Sequence, residues 1–421
     1  MMSEFIKRGV LLTLIIASVS CQDGPATPTP FEGSVWPTHT TVNYFSRFHA
    51  FGVGPTSTYQ LEEIERRAVE LIVNAETSLD VALEYFGSTR IADALIEAKS
   101  RGVKVRVVGD VDRRDQDGFQ SLEDSNSFHS TIVGLPNREA HDLNADVVYG
   151  DGPVSWQAVF GRELVIRTGE DNLMTHNFII ADRHRILNLT GGFPADGEEL
   201  TQAGFIAASE DLAKDFSDMF DQLHGGVFST RQTFYDDSVS ADTNNRTSYP
   251  TEDSVIEVYF GPQERLVKEV IDRIYNAKSS VYIASMQFKN DEIARALRYK
   301  TGAGFDVKLV LAEPPSTPTD GLDGYRINPE IDGTWVIIDG QRSPLTRIMH
   351  PGSAMVMSMP LFEAVPYYFE DAGEEDPLPQ QSDRFTDANM WVVQQNLVQP
   401  NSDYQYLVDS FDSLFERGTS P

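Results

Sequence analysis

The sequence predicts an α/β protein built from two copies of one lobe. A strand–helix–strand pattern of the parallel-sheet kind opens the folded part of the chain. The same pattern returns at an offset of 202 positions, as in Asn74 and Asn276. Each copy then closes with an amphipathic helix carrying a Phe-Asp pair, Phe220-Asp221 in the first and Phe411-Asp412 in the second.

Taken in order, Lys7-Arg8 followed by the apolar run Gly9–Ala17 reads as an export signal, too short to span a bilayer in the mature protein. It ends at Ser18-Val19-Ser20-Cys21, which resembles a bacterial lipobox. Cys21 is the single cysteine of 421 residues. That usage points to lipid attachment at Cys21, and it excludes intrachain disulfides, Cys-based metal sites and thiol catalysis. The expected organisation is a signal at 1–20, a Pro/Thr/Gly-rich tether and N-terminal extension at 21–58, a first lobe at 59–229, a polar linker at 230–253 and a second lobe at 254–418. The expected location is the bacterial cell envelope, lipid-anchored. A net charge of -30 argues against a nucleic-acid partner and against electrostatic adhesion to anionic lipid.

In the first lobe, Leu61, Ile64, Ala68, Leu71, Ile72 and Ala75 follow helical spacing. Ser78–Phe86 alternates as a strand, Ile91, Ala94, Leu95 and Ala98 repeat helically, Gly102 suits a C-cap, and Val103–Val108 is a second strand. The second copy matches without a gap: Ala75 with Ala277, Ser78 with Ser280, Phe86 with Phe288, Ile91-Ala92 with Ile293-Ala294, Gly102 with Gly304. Identical small residues at matched places imply matched close contacts. The acidic stretch Asp110–Asp124 has the look of a calcium loop, but Arg113 stands at the lead ligand position; it reads as a strand-to-helix loop.

The stretch Leu173–Phe193 is where chemistry concentrates. Phe178–Ala181 reads as a buried strand with His176 at its entry and Asp182 at its exit; a turn, a second strand and Gly191-Gly192 follow. A His at the mouth of a buried strand, with a carboxylate nearby, suits acid–base or nucleophilic work. A strand pair with incidental polar ends has the same pattern.

The duplicated S-[LV]-x-[VI]-A-x-x-x-F strand, I-A-x-A-L helix and G-x-x-V strand, each followed by a His-bearing strand, resemble the phospholipase D superfamily over Tyr59–Gly418. That resemblance implies two homologous α/β lobes packed as a pseudo-two-fold pair. It implies H-x-K-x-x-x-x-D in each lobe, with one His forming a phosphohistidine and the other protonating the leaving alkoxide, without metal or cofactor. On this chain the roles fall on His176 as nucleophile, His350 as partner acid and Asp182 as orienting carboxylate, with Asn177, Gly191, Gly192 and Asn389 lining the site. The sequence departs from the pattern. Phe178 replaces the first Lys, Asp182 comes one residue early, and Pro194 replaces an Asn. After His350, Gly352 replaces the Lys and Met357 the Asp, and residues 360–382 form an expanded acidic loop. Three readings follow. The chain is a catalytically weak or inactive binding or structural descendant, or it is an active metal-independent phosphodiesterase acting on a phosphodiester or lipid head group. The third, a nucleic-acid or phospholipid-surface binder, is the one that the net acidity disfavours most.

Overall fold

The computed structural model describes residues 47–53, 59–133, 144–150, 174–194, 201–226, 228, 248–251, 255–261, 264, 266–315, 322, 325–361, 388–397 and 402–420. Cys21, most of the tether and linker, and residues 362–382 of the expanded loop lie outside them.

The first lobe runs β1 (Arg47–Val53), α1 (Leu61–Val73), β2 (Ser78–Leu83), α2 (Thr89–Ser100), β3 (Lys104–Asp110), α3 (Asp117–Asp124), β4 (Ser130–Val133), β5 (Val147–Gly150), β6 (Asn177–Ala181), β7 (Arg185–Leu189), β8 (Gln202–Ala208) and α4 (Glu210–His224). The second runs β9 (Ser248–Pro250), β10 (Val255–Phe260), α5 (Leu266–Asn276), β11 (Ser280–Ser285), α6 (Asp291–Gly302), β12 (Asp306–Leu311), β13 (Arg326–Ile327), β14 (Thr334–Ile338), β15 (Ser353–Met357), β16 (Asn389–Gln394) and α7 (Ser402–Arg417). The sheets are ordered β1-β8-β7-β6-β2-β3-β5-β4 and β9-β10-β16-β15-β14-β11-β12-β13. Two boundaries move. Residues 47–53 and 248–250, read from sequence as extension and linker, are strands, because each finds an open sheet edge to pair with: β1 on β8 and β9 on β10.

Local chemistry explains the matched elements. Ser88 caps α2 by accepting from the Ile91 N–H, and Asn290 caps α6 at the Ile293 N–H. Past the same helices Gly102 (φ 92°) and Gly304 (φ 81°) take the left-handed turn that L side chains avoid. The acidic stretch after β3 turns once and then forms α3, with Arg114 forked onto Glu123. That helix, rather than a calcium loop, follows from Phe119 and Leu122 burying on one face.

Strands β2 and β11 are buried on both faces. In β11, Val281 and Ile283 point to a core formed with α5 and α6. Tyr282 and Ala284 point into a second core shared by both lobes, with Phe178, Phe205, Phe216 and Phe260, Trp335 and Trp391. The shared core is aromatic: Phe205 meets Trp391 at 5.4 Å and Phe216 meets Phe260 at 5.0 Å, both edge-on. The closing helices reach across. Asp403 of α7 accepts from the Ala50 N–H of β1, and Asp215 of α4 pairs with Tyr249 of β9. The two lobes therefore share one core.

Candidate functional site at the lobe interface

Strand register fixes which residues of the two lobes correspond. Phe178 of β6 lies opposite Ala82 of β2, and Trp335 of β14 lies opposite Ala284 of β11. Two residues outward, the Glu84 N–H donates to the His176 carbonyl, and the Met286 N–H donates to the Gly333 carbonyl. The lobe 2 counterpart of His176 is therefore Gly333. The alignment continues through β7 and β15: Phe86 bridges Phe193 and Phe288 bridges Leu361, so Thr190-Gly191-Gly192 corresponds to Ser358-Met359-Pro360.

His176 sits at the seam and is 0% exposed. Its Nδ1 accepts from the Asn389 amide at 3.1 Å, across the lobe boundary, which places the proton of the neutral ring on Nε2. Nε2 is buried without a hydrogen-bond partner among the described residues. The ring edge meets Phe178 at 5.6 Å and Phe260 at 6.3 Å. Burial pushes its pKa down to about 3. Beside it, Thr175 and Ser358 hydroxyls meet at 3.2 Å, again across the boundary.

Asn177 ties the seam together. Its Oδ1 accepts from the Glu84 and Tyr85 N–H groups at 2.9 and 3.4 Å, and its amide donates to the Thr175 and Thr190 carbonyls at 3.2 and 3.1 Å. Gly192 (φ 67°) passes so close that a Cβ there would lie 2.8 Å from the Tyr85 carbonyl. A Cβ on Gly191 would overlap the Asp332 carboxylate of lobe 2. Thr190 Oγ1 donates to the Asp332 carbonyl at 2.8 Å, and a short backbone ladder joins Thr201 to Glu330 and Asp332. Gly191 thus serves close approach between the lobes, and Gly192 close packing within lobe 1.

Two sequence-derived roles do not survive. Asp182 lies at the far end of β6, where its carboxylate accepts from the backbone of Glu76, Thr77 and Ser78 and pairs with Arg185. Burial works against its charge, but those hydrogen bonds hold its pKa below the usual value. Its lobe 2 counterpart, Asp339, does the same for Lys278 and Ser279. Asp182 cannot orient His176, since the whole strand separates them. His350 is a half-buried residue at the connection leading into β15, while the seam lies beyond that strand's other end, at Ser358. At roughly 3.3 Å per residue the separation is on the order of 20 Å. Of the proposed site residues, His176, Asn177, Gly191, Gly192 and Asn389 come together; His350 and Asp182 do not join them.

The structure adds residues that the sequence did not single out. Three buried carboxyls, Glu84, Asp110 and Asp332, converge on the seam. Burial, reinforced by the charges of Asp332 and Asp110, pushes Glu84 well above its usual pKa, with Arg113 opposing. Burial raises Asp110 to about 7, although it accepts from the Met174 and Asp112 N–H groups. Arg113 lies 3.8 Å from Glu84 and donates to the Tyr85 hydroxyl at 3.0 Å. The signal for Glu84 was present in the repeat: its partner in the second copy is Met286. A phosphoryl site gathers cations where negative charge develops. Here buried acids gather instead.

Comparison with known proteins agrees with this architecture. Residues 68–224 match the family model described as cardiolipin synthase, PLD-like domain. No curated protein sequence matches the chain. Among solved structures, phosphatidylserine synthase from Haemophilus influenzae is similar over 89% of this chain and 86% of its own, at 10% identity and a TM-score of 0.50. Nuc from Salmonella typhimurium, a phospholipase D family member, is similar over 43% of this chain and 95% of its own, at 15% identity and a TM-score of 0.28. Residues 68–224 of the first lobe thus match a phospholipase D-like domain, and the chain as a whole shares its two-lobed α/β fold with that phosphatidylserine synthase.

Proposed function

We propose that this protein is a non-catalytic phospholipase D-like lipoprotein of the cell envelope, in which the former catalytic seam now holds the lobes together as a binding or structural unit. One observation carries the reading: the register partner of His176 is Gly333. In-line phosphoryl transfer by two histidines needs one on each side of phosphorus, and the second position has no side chain. The environment of His176 supports the same reading, since burial keeps the ring neutral among Phe178, Phe260 and buried acids, surroundings that disfavour a phosphodiester anion. The alternative, a working phosphodiesterase acting through a phosphohistidine, is favoured by one feature, the absence of a hydrogen-bond partner on Nε2 among the described residues; since the Asn389 contact puts the ring proton on that atom, attack on phosphorus would need the other tautomer.

One assay separates them. The full chain and its His176→Ala variant are compared on bis(p-nitrophenyl) phosphate and on phosphatidylcholine. Both are expected at background; turnover in the parent that the variant loses would establish the alternative. Lipidation at Cys21 is tested by fractionation, with Cys21→Ala expected to leave the membrane fraction.

A further inference from the structure

The connection between β6 and β7 is three residues, Asp182–His184, whereas its counterpart between β14 and β15 is fourteen, Asp339–Gly352. The added chain is well organised. The Ser343 N–H donates to the Ile348 carbonyl at 2.9 Å and the Arg347 N–H to the Ser343 carbonyl at 2.8 Å. The buried Ser343 hydroxyl accepts from the Leu345 and Thr346 N–H groups at 3.3 Å, and Arg342 bridges to Met349 and donates to the Arg347 carbonyl. With its polar backbone turned onto itself, the tip points aliphatic side chains outward. Leu345 is 72% exposed, Ile348 60% and Met349 40%.

The tip is also a local reversal of charge. The chain holds 64 acidic against 34 basic residues, yet Gly340–Phe362 contains no Asp or Glu and carries Arg342 and Arg347. Residues 344–349 are all exposed, so the apolar groups form a protrusion rather than a groove.

We propose that this tip is a membrane-contact element for anionic bilayers: Leu345, Ile348 and Met349 enter the head-group boundary while Arg342 and Arg347 pair with lipid phosphates. Three properties select a bilayer over a protein partner. A segment whose Ser343, Leu345, Thr346, Arg347 and Ile348 N–H groups are bonded within the tip enters the head-group boundary at reduced cost. A protruding aliphatic tip flanked by arginines matches the layering of an interface. The acidity of the remaining surface repels an anionic membrane, which orients the molecule tip first. The proposal is independent of catalysis and of the N-terminal anchor, and it refines the inference from net charge, which holds for the surface as a whole but not for this tip.

The test uses the full chain with Cys21→Ala, which removes both lipidation and the single thiol. Co-sedimentation is measured with vesicles of phosphatidylglycerol and phosphatidylcholine, and with phosphatidylcholine alone. Leu345→Asp with Ile348→Asp is expected to lower the partition coefficient about tenfold or more. Arg342→Glu with Arg347→Glu is expected to lower it to the phosphatidylcholine level and remove its salt dependence. Unfolding midpoints should stay unchanged, since these side chains are exposed. Because the N-terminal apolar run could hold the chain on vesicles by itself, a second measurement reads the tip directly. A polarity-sensitive dye on Leu345→Cys should shift to the blue on anionic vesicles, while the same dye on Tyr299→Cys, 68% exposed elsewhere in lobe 2, should not. Absence of the shift at 345, or an equal shift at 299, overturns the proposal, and a tip built to dock a protein would give that absence.

Discussion

The two lobes share the order of their matched strands, helix caps and closing helices; α3, β4 and β9 have no counterpart, and two further differences bear on the site and the surface. At the seam, lobe 1 places His176, Asn177, Glu84 and Asp110 where lobe 2 has Gly333, Thr334, Met286 and Ala312. At the opposite end of the same strand pair, lobe 1 has a three-residue turn and lobe 2 the fourteen-residue tip. The positions held in common, such as Phe86 with Phe288 and Asp182 with Asp339, bury apolar surface or cap backbone. Where the lobes diverge, the side chains are polar, charged or exposed. A duplicated fold stays legible through its packing, while each copy is free to change its polar chemistry.

The largest expected effect breaks the seam's asymmetry. Asn177→Ala removes partners from the Tyr85 N–H and from the Thr175 and Thr190 carbonyls, and weakens that of Glu84. Buried backbone groups left unpaired should cost about 3–5 kcal/mol. At the matching position Thr334→Val removes a hydroxyl that pairs with Ser285 and donates to the Met359 carbonyl. That loss should cost about 1–2 kcal/mol. Urea unfolding of both variants reads the difference, and equal costs would erase the contrast.

Restoring symmetry should fail. Gly333 has φ 105°, and a Cβ there would lie 2.6 Å from Thr190 Cβ. Gly333→His therefore should destabilise by about 3 kcal/mol from backbone strain and collision, and yield no phosphodiesterase turnover. A stable variant with turnover would mean that the second site was merely emptied rather than closed.

The buried acids give lobe 1 a pH signature that lobe 2 lacks. The folded state raises both Glu84 and Asp110, so it holds protons that the unfolded chain releases above about pH 4. Their stabilising contribution is complete below that and is lost as pH rises through about 7 for Asp110. Each group should contribute a slope of about 1.4 kcal/mol per pH unit within its window. Glu84→Gln with Asp110→Asn should flatten the decline between pH 5 and pH 8 in thermal unfolding scans; an unchanged decline would assign it elsewhere.

How far the sequence carried the architecture follows from the same comparison. The repeat was visible because Asn74-Ala75, Phe86 and Gly102 return as small or core residues in an ungapped unit. His176 could be singled out from local pattern and Asn389 from the family resemblance, and the two meet across the seam. The second motif was misplaced because connections vary where strands do not. From β2 to β11 the offset is 202, but from β6 to β14 it falls to 157, since only 22 residues separate β12 from β14 against 66 between β3 and β6. Searching for a His then led to His350, although Trp335-Val336-Ile337-Ile338-Asp339 mirrors Phe178-Ile179-Ile180-Ala181-Asp182. Glu84 left a trace in the repeat as the counterpart of Met286, whereas Asp332 was beyond reach because it packs against Gly191 of the other lobe, a contact that no local period encodes.

The smallest effect sharpens the comparison where the lobes still agree. Asp182 and Asp339 each cap the chain entering the first parallel strand, through the backbone of Thr77 and Ser78 in one case and of Lys278 and Ser279 in the other. Asp182 carries an added ion pair to Arg185, while Ser353 stands at the matching place in lobe 2. Charge-assisted caps of this kind are worth about 1–2 kcal/mol, and the extra pair, being largely buried, adds about 1 kcal/mol. Asp182→Ala should therefore cost slightly more than Asp339→Ala, and the double variant should lose their sum to within about 0.5 kcal/mol, since the two turns share no partner. A large departure from additivity in urea unfolding would show that the two ends of the pseudo-symmetric pair are coupled through the shared core, and the lobes would then have to be treated as a single cooperative element rather than as two units that meet at a seam.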